Sequence, residues 1–367
     1  MSEPTEQAPA VPSVKPLRVA WVAGERTLGR LAPMLKALAI GLVDAPAELV
    51  VLCPAGESCE ALPSPPLDVV PYEPARWWER GFGAIREVAD DLAGRKLDLL
   101  HALDARADRL TRRLAAALDT PYVVSSDALG DGRILGKLPD HARALLAAGD
   151  RIQADLLEHR VLSAERVHLV RPGLRRVQEP SCFADPGRAA AVLIGGALDT
   201  PDDVEPTLRA LAALRAGGHE CQGFLLGEGR AERKLRQRAE QLALREALTF
   251  AGTVPAWRLA GVLAGSDIYV SPSTRDGLDV GALAAMAVGV PVVSAKDAPS
   301  DFLKEGRTTV QFRRGDADNL RDEIGSLLAD PPRAKALAEQ ALAYLGEYHA
   351  PTATAAKTAD IYRQALA

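Results

Sequence analysis

Ser271-Pro-Ser-Thr-Arg-Asp-Gly-Leu-Asp-Val-Gly-Ala-Leu-Ala-Ala-Met-Ala-Val-Gly-Val-Pro-Val-Val-Ser294 is the stretch on which the fold turns. It leaves a short apolar run at 268–270 and crosses a polar loop. It then becomes apolar at helical spacing over 280–287 and reaches a second β-branched run at 290–294. Strand, helix, strand in so short a span predicts parallel strands joined by a crossover helix.

The same rhythm extends outward. In the second half it includes a strand at 190–194, a helix over 204–214, a strand at 223–226 closed by Gly227-Glu228-Gly229, a helix through Leu235 and Leu242, a strand at 248–250 and a helix around 259–263. The first half reads alike. A strand at 17–22 precedes a helix over 28–42, and a strand at 48–53 follows. A helical stretch with Ile85, Val88 and Leu92 leads to a strand at 97–100 ending at His101. A helix through Leu110 and Leu114, a strand at 122–125 and a further alternation from 143 to 170 complete it. Between the halves, Pro172 and Gly173 open a polar, Pro-containing stretch without periodicity, the expected linker. The expected organisation is a disordered tail at 1–16, Rossmann-like domains at 17–172 and 189–349 with a linker at 173–188, and a terminal segment at 350–367. The fold class is α/β: two doubly wound parallel sheets facing a central cleft, where ligands of such sheets bind.

Composition agrees. The chain has 367 residues, more than one hydrophobic core usually organises. Apolar residues make up 47% and charged residues 25%, ordinary for a globular protein. A formal net charge of −5 gives no global reason to expect nucleic acid or an anionic membrane as partner. Four irregularly spaced cysteines, Cys53, Cys59, Cys182 and Cys221, read as reduced thiols rather than as a disulfide or zinc framework. No secretory leader and no apolar run long enough to span a bilayer is present, so a cytoplasmic location is expected.

The quoted stretch resembles the signature of glycosyltransferase family 4 (glycosyl transferases group 1). Phe224-Leu-Leu-Gly-Glu-Gly229, Leu248-Thr-Phe-Ala-Gly-Thr-Val-Pro255, Ala264-Gly-Ser-Asp-Ile-Tyr-Val-Ser-Pro-Ser273, Asp301-Phe-Leu-Lys-Glu-Gly306 and Gly315-Asp316 stand in that family's order and spacing. Their ordered co-occurrence makes the resemblance specific; each alone is an ordinary strand end or turn. It implies the GT-B fold, with a nucleotide-diphosphate sugar on the second domain and an acceptor on the first. It also implies sugar transfer with retention and a last helix that returns to the first domain. No metal or other cofactor is implied. By resemblance Asp276 stands near the reacting sugar, His101 near the acceptor, and Gly195, Arg275, Gly277, Leu278 and Asp279 around the donor diphosphate.

The chain also departs from that family. Its diphosphate-binding Arg and Lys positions are occupied by Gly196 and Pro201, and the second glutamate of its signature is Ala284. The segment 194–203 offers carboxylates and no cation; it reads as a strand-to-helix turn with Thr200 or Asp199 as cap and Pro201 in the first turn. Asp279 replaces a Gly at the start of a helix whose free N–H groups would hold phosphate, and its carboxylate can cap the helix itself. Arg275 and Lys296 are the remaining cations positioned to compensate. These departures support a second reading, a catalytically silent GT-B scaffold serving as a binding or partner subunit, for instance beside an active glycosyltransferase. A third is an enzyme whose donor or acceptor lacks the usual diphosphate. Trp77-Trp78 reads as an apolar plug between domains, and the basic stretch 230–245 as a solvated amphipathic helix.

Overall fold

The computed structural model describes residues 16–43, 47–56, 62, 67–73, 82–177, 179–185, 187–196, 198–272 and 277–367. The first domain's sheet contains β1 (Leu17–Val22), β2 (Ala47–Pro54), β3 (Asp68–Tyr72), β4 (Leu99–Ala102), β5 (Tyr122–Ser126), β6 (Ala142–Ala147) and β7 (Val167–Leu169), in the order β3-β2-β1-β4-β5-β6-β7. The second contains β8 (Ala190–Gly195), β9 (Cys221–Leu226), β10 (Leu248–Gly252), β11 (Ile268–Ser271), β12 (Val292–Ala295) and β13 (Thr309–Phe312), in the order β10-β9-β8-β11-β12-β13. Every pairing within both sheets is parallel. Central strands buried on both faces explain why Val192, Leu193 and Ile194 run without polar interruption.

The connecting helices are α1 (Thr27–Val43), α2 (Phe82–Ala93), α3 (Asp108–Leu118), α4 (Asp131–Leu135) and α5 (Asp150–Glu158) in the first domain. In the second they are α6 (Pro201–Ala216), α7 (Glu232–Gln241), α8 (Ala256–Ala264), α9 (Val280–Ala287), α10 (Ala317–Ala329) and α11 (Pro331–Tyr348). After these, α12 (Pro351–Leu366) packs on α1, and its Tyr362 accepts a hydrogen bond from Trp21 Nε1 at 3.1 Å.

In each sheet the chain order reverses beside its first strand, between β1 and β4 and between β8 and β11. Loops at the carboxyl ends of the two sheets meet. Leu278, after β11, donates its N–H to the carbonyl of Asp127, after β5, at 2.7 Å, and Ala128 forms an antiparallel bridge with Gly277. One apolar cluster runs through both domains, from Trp21, Leu31 and Met34 to Leu278, Leu283 and Met286.

The sheets contain strands the sequence pattern does not announce. Ala-Arg-Ala-Leu-Leu-Ala of β6 is made of good helix formers, yet it lies buried between β5 and β7, where the slot in the sheet overrides propensity. β3 and β13 are short, at the sheet edges. Trp77, Trp78 and the tail other than Pro16 lie outside the described residues. Cys53, Cys182 and Cys221 are buried, and Cys59 lies outside the described residues. In α7, Leu235 and Ala239 are buried while Arg236 pairs with Glu232 at 2.7 Å.

Candidate functional site

The second domain's switch point is built around Tyr269. This fully buried side chain of β11 projects between the end of β8 and the start of α9. An added Cβ on either Gly195 or Gly281 would collide with its ring. Gly195 therefore has a packing reason to be glycine that involves no ligand. Burial, helped by the nearby Asp279 carboxylate, pushes the Tyr269 hydroxyl well above its ordinary value, so it stays protonated.

Asp279 closes the entrance to α9. It occupies the N-cap, and its Oδ1 accepts the Ala282 N–H at 2.8 Å. Its other oxygen accepts from the Ser271 hydroxyl, and its own N–H donates to Ser300 Oγ at 3.0 Å. Burial raises the carboxyl above the usual carboxylate range, while the Ser271 hydroxyl and the helix amides draw it back. The first turn of α9 is thus satisfied internally, by an acid placed where an incoming anion would meet those amides.

Among the described residues, the loop from Gly195 to Pro201 carries no Lys or Arg. Gly196, with φ of +148°, sits in a region that side-chain-bearing residues rarely adopt. Pro201 opens α6 as expected, but Thr200 at the N-cap makes no side-chain bond to the helix backbone. Its hydroxyl donates to Asp203 Oδ2 at 2.6 Å instead. Asp203 in turn holds Arg314 at 2.9 Å. Ala284 is buried. Lys296 is exposed and within electrostatic reach of Glu305. Arg275 and Asp276 lie outside the described residues. Gly277 and Leu278 lie against the first domain, through the bridge to Ala128 and the bond to Asp127.

On the first-domain side, a cluster missing from the sequence expectations fills the strand ends. Arg30 of α1 pairs with Asp127, to which its second nitrogen lies at 3.2 Å, and stands 3.7 Å from Asp104. Asp104 also accepts from the Thr27 hydroxyl and from the N–H groups of Arg106 and Ala107 at 3.0 and 2.9 Å. Asp131 accepts from Ser126 Oγ at 2.8 Å and from the Ala128 N–H at 3.1 Å, and burial pushes its carboxyl up to about 6. The sequence signal was weak, since Arg30, Asp104, Asp127 and Asp131 lie far apart in the chain and carry no shared motif.

His101 is 1% exposed. Its Nδ1 lies 2.6 Å from Tyr362 Oη and its Nε2 2.8 Å from Ser125 Oγ. Because Trp21 already donates to Tyr362, the arrangement that uses every proton has the Tyr362 hydroxyl donating to Nδ1 and Nε2–H donating to Ser125. Burial lowers the imidazole to about 3 and keeps it neutral. His101 still borders a small cavity of about 80 Å³ with Asp127, Leu278 and Thr358. Among the described residues no group of three or more His, Cys, Asp or Glu side chains is placed to hold a metal ion, and no helix is long and apolar enough to cross a membrane.

Comparison with known proteins agrees with this architecture. Residues 189–330 match the family model for Glycosyl transferases group 1. The chain is 28% identical over 267 residues to a D-inositol 3-phosphate glycosyltransferase of Catenulispora acidiphila, covering 65% of this chain and 62% of that protein. It is 33% identical over 139 residues to the GDP-mannose-dependent alpha-(1-6)-phosphatidylinositol monomannoside mannosyltransferase of Mycolicibacterium smegmatis, covering 35% of this chain and 36% of the other. The chain thus spans less than two thirds of these curated relatives. Among solved structures, Anabaena Alr3699/HepE with UDP and glucose superposes with a TM-score of 0.76 at 16% identity, over 94% of this chain and 98% of that one. Sucrose-phosphate synthase from Thermosynechococcus elongatus gives 0.67 at 17% identity, over 95% and 98%. At such identities the likeness speaks for the fold, and the fold is GT-B.

Proposed function

We propose that this chain is a GT-B protein similar to group 1 glycosyltransferases whose donor site is closed to a nucleotide-diphosphate sugar, and that it serves as a binding or partner subunit. The observation carrying this reading is the Asp279 carboxylate seated on the opening amides of α9. A diphosphate there would have to displace it and then tolerate it as a like charge. The cations that would offset this are replaced by Gly196 and Pro201. Losing two charge-assisted contacts at about 1.5 to 3 kcal/mol each weakens binding by roughly three orders of magnitude. The Ala128–Gly277 bridge adds a steric argument, since a sugar on that loop would have to part it.

A second reading has one observation in its favour, the similarity of residues 189–330 to group 1 glycosyltransferases. In it the chain transfers a sugar from a nucleotide-diphosphate donor to an unidentified acceptor, with retention. Asp276 then stands nearest the sugar, Arg275 and the amides of the loop carrying Gly277 and Leu278 serve the diphosphate, and His101 lies toward the acceptor.

Calorimetric titration of the purified chain with UDP-, GDP- and ADP-sugars separates the two readings. The first expects no binding across the panel, and a gain of binding in Asp279→Gly. Micromolar binding by the unaltered chain, lost in Arg275→Ala, would overturn it in favour of the second. Gly196→Arg is a poor restoring change, because its φ would strain any side chain.

A further inference from the structure

Away from the strand ends, α1 of the first domain and α8 and α9 of the second enclose, with the start of the linker, a cavity of about 310 Å³. That volume is at the lower end of the range of small-molecule sites. Its walls are aliphatic, formed by Ile40, Leu174, Leu259 and Val288 with small alanines between them. Among the described residues its charged lining residues are Lys36 and Arg175, and no carboxylate lines it. Both cations are exposed, and neither has a hydrogen-bond or ion partner among the described residues.

The surface around this cavity is unusually apolar. Ile40 is 45% exposed and Val43 59%; with Lys36 they form one stripe along α1, at i, i+4 and i+7. Val262, one turn beyond Leu259 on α8, and Val177, two residues beyond Arg175, are also exposed. Large exposed aliphatic side chains therefore continue from the cavity on three of its bordering segments, a pattern that marks binding surface more often than chance exposure does. An aliphatic lining favours an aliphatic occupant, and two cations without partners among the described residues favour an anionic head beside it.

We propose that this cavity binds a single-chain amphipathic anion, a free medium-chain fatty carboxylate, with the chain between α1, α8 and α9 and the head at Lys36 and Arg175. The proposal does not depend on what happens at the start of α9. Ala284 lines the cavity, and its small side chain leaves room for the chain of the ligand rather than a polar group to hold a sugar ring.

The test is calorimetric titration of the full chain with dodecanoate below its micellar concentration, with dodecanol and inorganic phosphate as separate probes. Dodecanoate is expected to bind with a Kd on the order of micromolar, and each control far more weakly. Reversing both cations, Lys36→Glu with Arg175→Glu, is expected to weaken it by about tenfold or more. Ala260→Trp, at an exposed lining position where folding is not at stake, is expected to block it. Thermal melts of the variants matching the unaltered chain show that folding is intact. Absence of dodecanoate binding, equal binding of dodecanol, or binding that survives both variants would overturn the proposal. So would displacement of dodecanoate by UDP, which would place the ligand in a nucleotide pocket instead.

Discussion

Asp131 shows how much of the first domain's strand-end chemistry is spent on internal order. Burial is the main cause of its raised pKa, and the Ser126 hydroxyl and two backbone N–H groups only partly oppose it. Its folded value of about 6 exceeds the ordinary 3.8, so between the two the folded state holds the proton more tightly than the unfolded state does. The stability this group contributes is fully present below about pH 4 and is lost as the pH rises through about 6. Asp131→Asn keeps an oxygen for the same donors and cannot titrate. Urea unfolding from pH 4 to 7 is therefore expected to move in the variant's favour by on the order of 2 kcal/mol; an unchanged difference across that range would mean the carboxyl is not buried as described. His101 acts with the opposite sign. With a folded value of about 3 against 6.5, it stays neutral, and its contribution erodes as the pH falls below about 6.5.

Strands β1, β4 and β5 of the first sheet and the helix α12 are joined by one chain of hydrogen bonds, Trp21 to Tyr362 to His101 to Ser125. Tyr362→Phe leaves the Trp21 N–H and His101 Nδ1 without their partner in a buried setting. The expected loss is about 1 to 3 kcal/mol of unfolding free energy, with faster hydrogen exchange in α12. A loss no greater than that of a surface substitution would argue that α12 is held by its apolar face alone. The elements themselves were largely legible in the sequence, because period and turn residues are local signals. The quoted stretch gave β11, α9 and β12 in order. The edge strands β3 and β13 escaped because a few residues cannot establish a period, and β6 because Ala and Leu favour the wrong element. His101 was legible as a strand-end histidine, but its neutrality was not. That follows from burial under α12, whose Tyr362 meets the ring from 261 positions away.

The relation between the two domains was least legible, since the residues that join them are ordinary apolar side chains with no motif to mark them. Asp279 could be read as a helix cap from its position. Nothing in the chain announced that Leu278 would donate to Asp127, or that Arg151 would reach the carbonyls of Asp297 and Ala298 at 3.3 and 3.1 Å. Asp150 and Asp301, one from each domain, converge on Arg171, at 2.7 and 3.6 Å. Arg151 and Asp150 are exposed, where such contacts are worth little singly, so the apolar cluster shared by both domains carries most of the coupling. Leu283 of α9 belongs to that cluster and is fully buried. If the domains are coupled through it, scanning calorimetry shows one transition whose calorimetric and van't Hoff enthalpies agree. Leu283→Ala then costs about 2 to 5 kcal/mol and moves that whole transition downward. Two separable peaks, with only the later or earlier one shifted by the substitution, would show the domains to be thermodynamically independent and the shared cluster to be contact without coupling.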